Sequence, residues 1–208
     1  AMIGMATVVA DYPLFYEAVN EKGVGMAGLN FPENADYKEV AKGKDNVASF
    51  ELIPWLLSQC DSVAQVKELC QNLNVTNEAF SDDFQPSPLH WLIADRNESI
   101  VLESVASGLK VYDNPTGVLT NNPTFDKQLF NLNNYRHVSP KVSDNLFSTE
   151  ITLDTYSRGM GGLGLPGDLS SMSRYVKVAF TKLNSVAEDT EASSVNQFFH
   201  ILKSVEQQ

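Results

Sequence analysis

Apolar and polar positions follow two different periods along this chain, and the changes between them divide it into elements. Residues 2–9 (MIGMATVV) are almost continuously apolar and predict a buried strand. Residues 23–30 (GVGMAGLN) predict a second strand, entered through the NEKG turn, with glycines marking close backbone approach. Residues 31–49 are polar and irregular. FELIPWLLSQC (50–60) reads as a short apolar helix that tolerates Pro54 in its first turn. Val63, Val66, Leu69, Cys70 and Leu73 then recur on one face of an amphipathic helix over 62–73, opened by a capping box of Ser62 and Gln65. Four short apolar runs follow: PLHWLIA, SIVLESV, GLKVYDN and GVLTN. The separators DRNE, ASG and NPTG are turn signals, so the runs predict an antiparallel meander, with His90 as a packed strand residue. Beyond Pro123, FDKQLFNLNNY predicts a helix. Residues 143–175 form an extended, glycine-rich excursion, and helices over 171–184 and 194–205 close the chain. Ser194 and Gln197 repeat the capping-box spacing, while Val195, Phe198, Phe199 and Leu202 line the apolar side of the last helix. The order is strands, helices, more strands, more helices. That is an α+β layout rather than an alternating βαβ one.

Composition narrows the partners. A chain of 208 residues with 43% apolar content can bury the core of one large domain. A net charge of −11 leaves nothing to neutralise phosphates, which argues against nucleic acid and anionic membranes. No apolar run approaches the ~18–20 residues of a membrane span, and no signal-peptide pattern is visible. A cytoplasmic protein is therefore expected. Cys60 and Cys70 make no disulfide framework, and Cys70 lies on an apolar helix face as a core thiol. His90, His137 and His200 are scattered, with no Cys or carboxylate at metal-ligand spacing, so no zinc site is expected.

Several motifs lose their force in context. GMGGLG (159–164) matches G-x-G-x-x-G in form, but Pro166, Gly167 and Asp168 intervene before the next helix and no parallel sheet precedes it. A flexible hairpin or an oligomer contact fits better. There is no G-x-S-x-G elbow, no Walker A and no H-E-x-x-H. What remains is two asparagines at the ends of apolar runs, Asn30 in GLNFP and Asn121 in LTNNP. Such residues serve as turns or as hydrogen-bond donors on a rigid support, and spacing alone leaves both open. Phe80 and Phe84 sit in the otherwise polar loop AFSDDFQPSPL, where they either pin the loop or wall a ligand site.

Taken together, DYPLFYEAVNEKGVGMAGLNFPE, PSPLHWLIAD, GVLTNNPTFD and GLPGDLSSMSRYVKVAF resemble the choloylglycine hydrolase family, in particular the bile salt hydrolases of gut bacteria. The resemblance covers residues 1–208 as a single domain. It implies an N-terminal nucleophile hydrolase, an αββα sandwich, cleaving the amide that joins a bile acid to glycine or taurine. In that family a terminal cysteine thiol attacks and its own α-amino group serves as base, with no metal or cofactor. The resemblance gives the oxyanion two donors, the backbone N–H of Asn30 and the side-chain amide of Asn121. It places Val9 and Tyr16 at the mouth of an apolar pocket, and Phe80, Phe84 and Leu89 on or beside the substrate-covering loop. SRGMGGLGLPGD, with 157–168 as its span, resembles the excursion by which subunits grip one another in a homotetramer. The chain departs from the pattern at its ends. Ala1 is not a nucleophile, and the family's arginine and aspartate near the cysteine, with a later arginine, are unmatched. An internal piece is expected, inactive and unstable alone because its sheet edges would lack partners. The alternatives are a penicillin V acylase-type amidase, which often carries tyrosine where Asn30 stands, or a non-catalytic binding or assembly module.

Overall fold

The computed structural model describes residues 1–142 and 144–207 of the chain. They form two compact units, Ala1–Phe125 and Asp126–Gln208. In chain order the strands are β1 (Met2–Val9), β2 (Tyr12–Asn20), β3 (Gly25–Asn30), β4 (Asp45–Ala48), β5 (Leu73–Thr76), β6 (Leu89–Ala94), β7 (Ser99–Val105) and β8 (Gly108–Asp113). The helices are α1 (Leu52–Leu57), α2 (Val63–Cys70), α3 (Phe125–Asn131), α4 (Ser171–Asn184) and α5 (Glu191–Lys203). The content is α+β, as the pattern predicts.

The first unit is organised by a six-stranded antiparallel sheet in the order β1-β2-β3-β6-β7-β8. Successive side chains point to opposite faces, so one face gathers Met26, Trp91, Ile93, Ile100 and Leu102. Leu52, Leu56, Val63, Val66 and Cys70 from α1 and α2 pack onto it. The helices form where expected, with Ser62 accepting from the Gln65 N–H at 3.4 Å. The reciprocal arm of the capping box reaches one residue further back. Gln65 Oε1 accepts from the Asp61 N–H at 2.6 Å.

Four departures from the sequence reading have local causes. β1 is a strand but not a buried one. It lies at the sheet edge, where Ile3 is 75% and Met5 64% exposed. β2 escapes prediction because its hairpin turn is Ala10–Asp11, at φ +48° and +61°, without the Gly or Asn that usually signals such a turn. β4 and β5 form a separate parallel pair, and α1 with α2 is the crossover that parallel pairing requires. α2 accordingly stops at Cys70, and Leu73 begins β5. The run GVLTN is not a fourth meander strand. Asn114 Oδ1 accepts from the N–H groups of Thr116 (3.2 Å) and Gly117 (2.9 Å), and its amide donates to the Val118 carbonyl (3.0 Å). One side chain thus knots the backbone into turns just after β8.

In the second unit, α4 spans the predicted residues. α5 begins earlier than expected, at Glu191, because the Thr190 hydroxyl accepts from the Ser193 N–H and caps it there. Val195, Phe198, Phe199 and Leu202 share one side of α5 and are 45–63% exposed. GMGGLG makes a single 3₁₀ turn, Met160–Gly162, with no strand before it. Gly161 lies against the carbonyls of Ser139 and Lys141, where an added Cβ would sit 1.9 Å from the Lys141 oxygen. Its glycine therefore serves close packing. No helix among the described residues is long and apolar enough to cross a membrane.

Candidate functional site

The two asparagines singled out by sequence meet across 91 residues of chain. Asn121 Nδ2 donates to the backbone carbonyl of Asn30 at 2.9 Å. Beside it, Asn122 Nδ2 donates to the Pro32 carbonyl, also at 2.9 Å. Two adjacent amides therefore clasp the segment that leaves β3. Asn30 is the last residue of that strand, opposite Leu89 of β6. The Phe31 N–H donates to the Pro88 carbonyl at 2.8 Å. Donors alternate along an antiparallel strand, so the Asn30 N–H points the opposite way, toward the side where pairing with β2 has ended at Ala27. Asn121 is not at a strand end. It sits in the irregular segment held by the Asn114 knot.

A buried polar cluster lies beneath this junction. His90 and Glu103 are both fully buried, on the adjacent strands β6 and β7. His90 Nδ1 lies 3.0 Å from Glu103 Oε1, and Nε2 lies 2.7 Å from the Thr120 carbonyl. The second contact requires a hydrogen on Nε2, since a carbonyl only accepts. Glu103 Oε1 also accepts from the Phe125 N–H at 2.9 Å. Glu103 Oε2 has no hydrogen-bond partner among the described residues. Phe31 stacks on the His90 ring, with centroids 4.1 Å apart and planes 8° from parallel. Sequence reasoning placed His90 in the packed strand correctly but gave it no partner. The signal for one was Glu103, an acid inside the otherwise apolar run SIVLESV.

An aromatic-walled cavity of about 280 Å³ is lined in part by Leu89, the register partner of Asn30. Tyr16, Phe80, Phe84 and Leu89, all expected around a pocket, line it together, and Phe50 and Trp91 join them. Val9 is not among the lining residues; it is paired with Tyr12 across the β1–β2 turn. The loop rings are ordered by one another. Phe80 lies 5.5 Å from Tyr12 and 5.3 Å from Phe50, and Phe84 lies 6.3 Å from Phe80. These edge and tilted contacts both pin the loop and turn its aromatic side toward the cavity. Tyr16 lies opposite a register shift between Met5 and Ala6, a bulge that re-aims the side chain. Its hydroxyl meets Thr7 Oγ1 at 2.5 Å, a polar point on an apolar wall. Gly28 lies close against two of the lining side chains, since a Cβ there would lie 3.2 Å from Leu89 and 3.3 Å from the Trp91 indole nitrogen. Tyr37 braces the strand start. Its hydroxyl donates to the Ser87 carbonyl and accepts from the Leu89 N–H, both at 2.8 Å, and burial pushes its pKa to about 12.

Neither thiol suits nucleophilic work. Cys60 and Cys70 are buried, and burial raises both, Cys70 to about 12. No cluster of metal-ligating side chains occurs among the described residues.

Comparison with known proteins bears on the family and the fold. The profile of the linear amide C–N hydrolases, choloylglycine hydrolase family, matches residues 1–208. The chain is 63% identical over 208 residues to the bile salt hydrolase/transferase of Lactiplantibacillus plantarum, covering all of this chain and 64% of that protein. It is 41% identical over 207 residues to the conjugated bile acid hydrolase of Lactobacillus gasseri, covering 99% of this chain and 66% of that protein. A crystal structure of a variant conjugated bile acid hydrolase from Clostridium perfringens superposes with a TM-score of 0.89 at 38% identity, over 100% of this chain and 64% of that one. Penicillin V acylase from Agrobacterium tumefaciens shares the fold, with a TM-score of 0.69 at 20% identity. The chain belongs to the choloylglycine hydrolase family, with the α+β fold of its N-terminal nucleophile hydrolases. It spans 64% of the length of the plantarum relative.

Proposed function

We propose that the protein containing this chain hydrolyses the amide bond of glycine- or taurine-conjugated bile salts, with residues 1–208 forming one family domain. The observation that carries the reading is the clasp of Asn121 to Asn30 beside an aromatic-walled cavity. In the reaction implied by the family, a cysteine thiol adds to the amide carbonyl. The tetrahedral intermediate expels the protonated amine and leaves a thioester. Water then releases the bile acid and regenerates the thiol. Each addition places negative charge on the carbonyl oxygen, and two preorganised donors suit that charge. The Asn30 N–H and an Asn121 amide hydrogen fill these roles. The aromatic-walled cavity suits a steroid body, and the Thr7–Tyr16 hydroxyl pair offers it a polar contact. Val9, Tyr16, Phe80, Phe84 and Leu89 are the substrate-binding residues of this reading. No metal or cofactor takes part.

The wider proposal is a cytoplasmic homotetramer of a gut bacterium, with residues 157–168 in the subunit contact. Its support is the exposure of apolar residues in and beside that segment, Tyr156 at 80% and Leu163 at 60%. Light scattering of the full-length protein tests the assembly. The activity is tested by expressing the full-length protein and measuring glycine or taurine released from conjugated bile salts. Release supports the reading. Cleavage of penicillin V without such release replaces it with an acylase, and cleavage of neither rejects it.

A further inference from the structure

The oxyanion junction rests on a buried imidazole that touches the chain neighbour of each asparagine. His90 stacks face to face on Phe31, the residue after Asn30, and donates from Nε2 to the carbonyl of Thr120, the residue before Asn121. On its other side, Nδ1 meets Glu103, which also takes the Phe125 N–H at the far end of the same segment. The segment 120–125 is irregular, so no sheet ladder fixes the Thr120–Asn121 peptide. The Asn121 amide and the His90 ring hold it from either side.

We propose that His90, seated on Glu103, is a positioning residue for the amide hydrolysis proposed above, holding Asn30 and Asn121 in register with each other. The inference rests on that reading of the two asparagines. The physical case is one of cost. A buried imidazole–carboxylate pair is poorly repaid in stability compared with apolar packing of similar volume, and one Glu103 oxygen is left unpartnered. What the pair supplies instead is direction. A planar ring stacked on Phe31 and tied at both nitrogens is held in one orientation, and it passes that rigidity to the peptide carrying the donor. A displacement of about 1 Å in a catalytic group can cost ~10²-fold in rate.

Asparagine and glutamine separate the two nitrogens, because the amide of Asn overlays Nδ1 of histidine and that of Gln reaches toward Nε2. His90→Asn keeps a group facing Glu103 and loses the tie to Thr120. His90→Gln keeps a donor for Thr120. In the full-length enzyme, with conjugated bile salt as substrate, His90→Asn is expected to lower kcat about 10²-fold with KM within about twofold. His90→Gln should stay within about tenfold of wild type. Asn121→Ala, assayed alongside, tests the reading on which the inference rests. If it leaves kcat unchanged, that reading fails and the inference with it. The double variant His90→Asn/Asn121→Ala should be no slower than Asn121→Ala alone, because once the Asn121 amide is gone there is no second donor for His90 to hold in register with Asn30. Ile93→Ala, a cavity in the same sheet remote from the asparagines, controls for lost stability and should lower the melting temperature while leaving kcat intact. Multiplicative losses in the double variant, or equal kcat losses in the His90→Asn and Ile93→Ala proteins, overturn the inference while the asparagine reading stands. Should His90→Asn fail to fold, a glutamine variant as slow as Asn121→Ala overturns it, and a near-wild-type glutamine variant carries it.

Discussion

The two halves of the candidate site are built on opposite principles. The junction around Asn30 and Asn121 is polar, tied by directional bonds, and seated on the fully buried His90 and Glu103. The wall around Tyr16, Phe80 and Phe84 is apolar, lies on a hairpin and a loop, and stays partly open, with Tyr16 58% and Phe84 40% exposed. Chemistry on a carbonyl requires donors fixed to a fraction of an ångström. Accommodation of a large apolar body requires area and some tolerance of shape. The same 125-residue unit supplies both by seating the first on side chains of two buried strands and the second on a hairpin and a surface loop.

That contrast is open to attack from both sides. The largest effect belongs to Asn121. Replacing it with alanine in the full-length enzyme should lower kcat by ~10²–10³-fold with little change in melting temperature, as measured by steady-state turnover and calorimetry. A comparable rise in KM alone, with kcat unchanged, would move Asn121 from the polar half of the site to the binding half. Next is Glu103→Ala, which strands an imidazole in the core. It should cost ~3–5 kcal/mol in urea unfolding, far more than a surface substitution. A cost below about 1 kcal/mol would show that the buried cluster is not under the constraint inferred for it. Phe80→Ala removes the ring that joins Tyr12, Phe50 and Phe84. It should raise KM about five- to tenfold while kcat changes little, as expected for ring contacts worth ~1 kcal/mol. The smallest effect is on Cys70. Burial holds its thiol protonated up to about pH 12, so thiolate is scarce at pH 8 and rises only as pH approaches that value. A thiol reagent at pH 8 should leave Cys70 unlabelled in native protein and label it on unfolding. Rapid native labelling would reopen the question of which thiol is reactive.

Much of the fold was legible because hydrophobic period and turn chemistry agreed. The β6–β8 meander, α1, α2 and α4 all stand where apolar spacing and capping residues put them. β2 was hidden because Ala10 and Asp11 adopt left-handed backbone without the residues that advertise it. β5 was hidden because Leu73 continues the helical stripe of α2 while pairing with Asp45 of β4, a contact between distant segments. The site shows the same division. Asn30, Asn121 and the loop phenylalanines could be singled out from their neighbours in sequence. Their convergence could not, since it depends on bonds spanning 91 residues. The role of His90 was least visible, because a histidine in an apolar run looks like packing until Glu103 and Thr120 are brought to its two nitrogens.

The central claim is that Asn30 and Asn121 together receive the charge that develops on the substrate carbonyl. The most direct measurement is a crystal structure of the full-length enzyme bearing a bile-acid aldehyde as a tetrahedral adduct. The account predicts the adduct oxygen about 2.7–3.1 Å from both the Asn30 backbone nitrogen and Asn121 Nδ2. An adduct whose oxygen lies beyond hydrogen-bond reach of either asparagine, held by other donors, would contradict it.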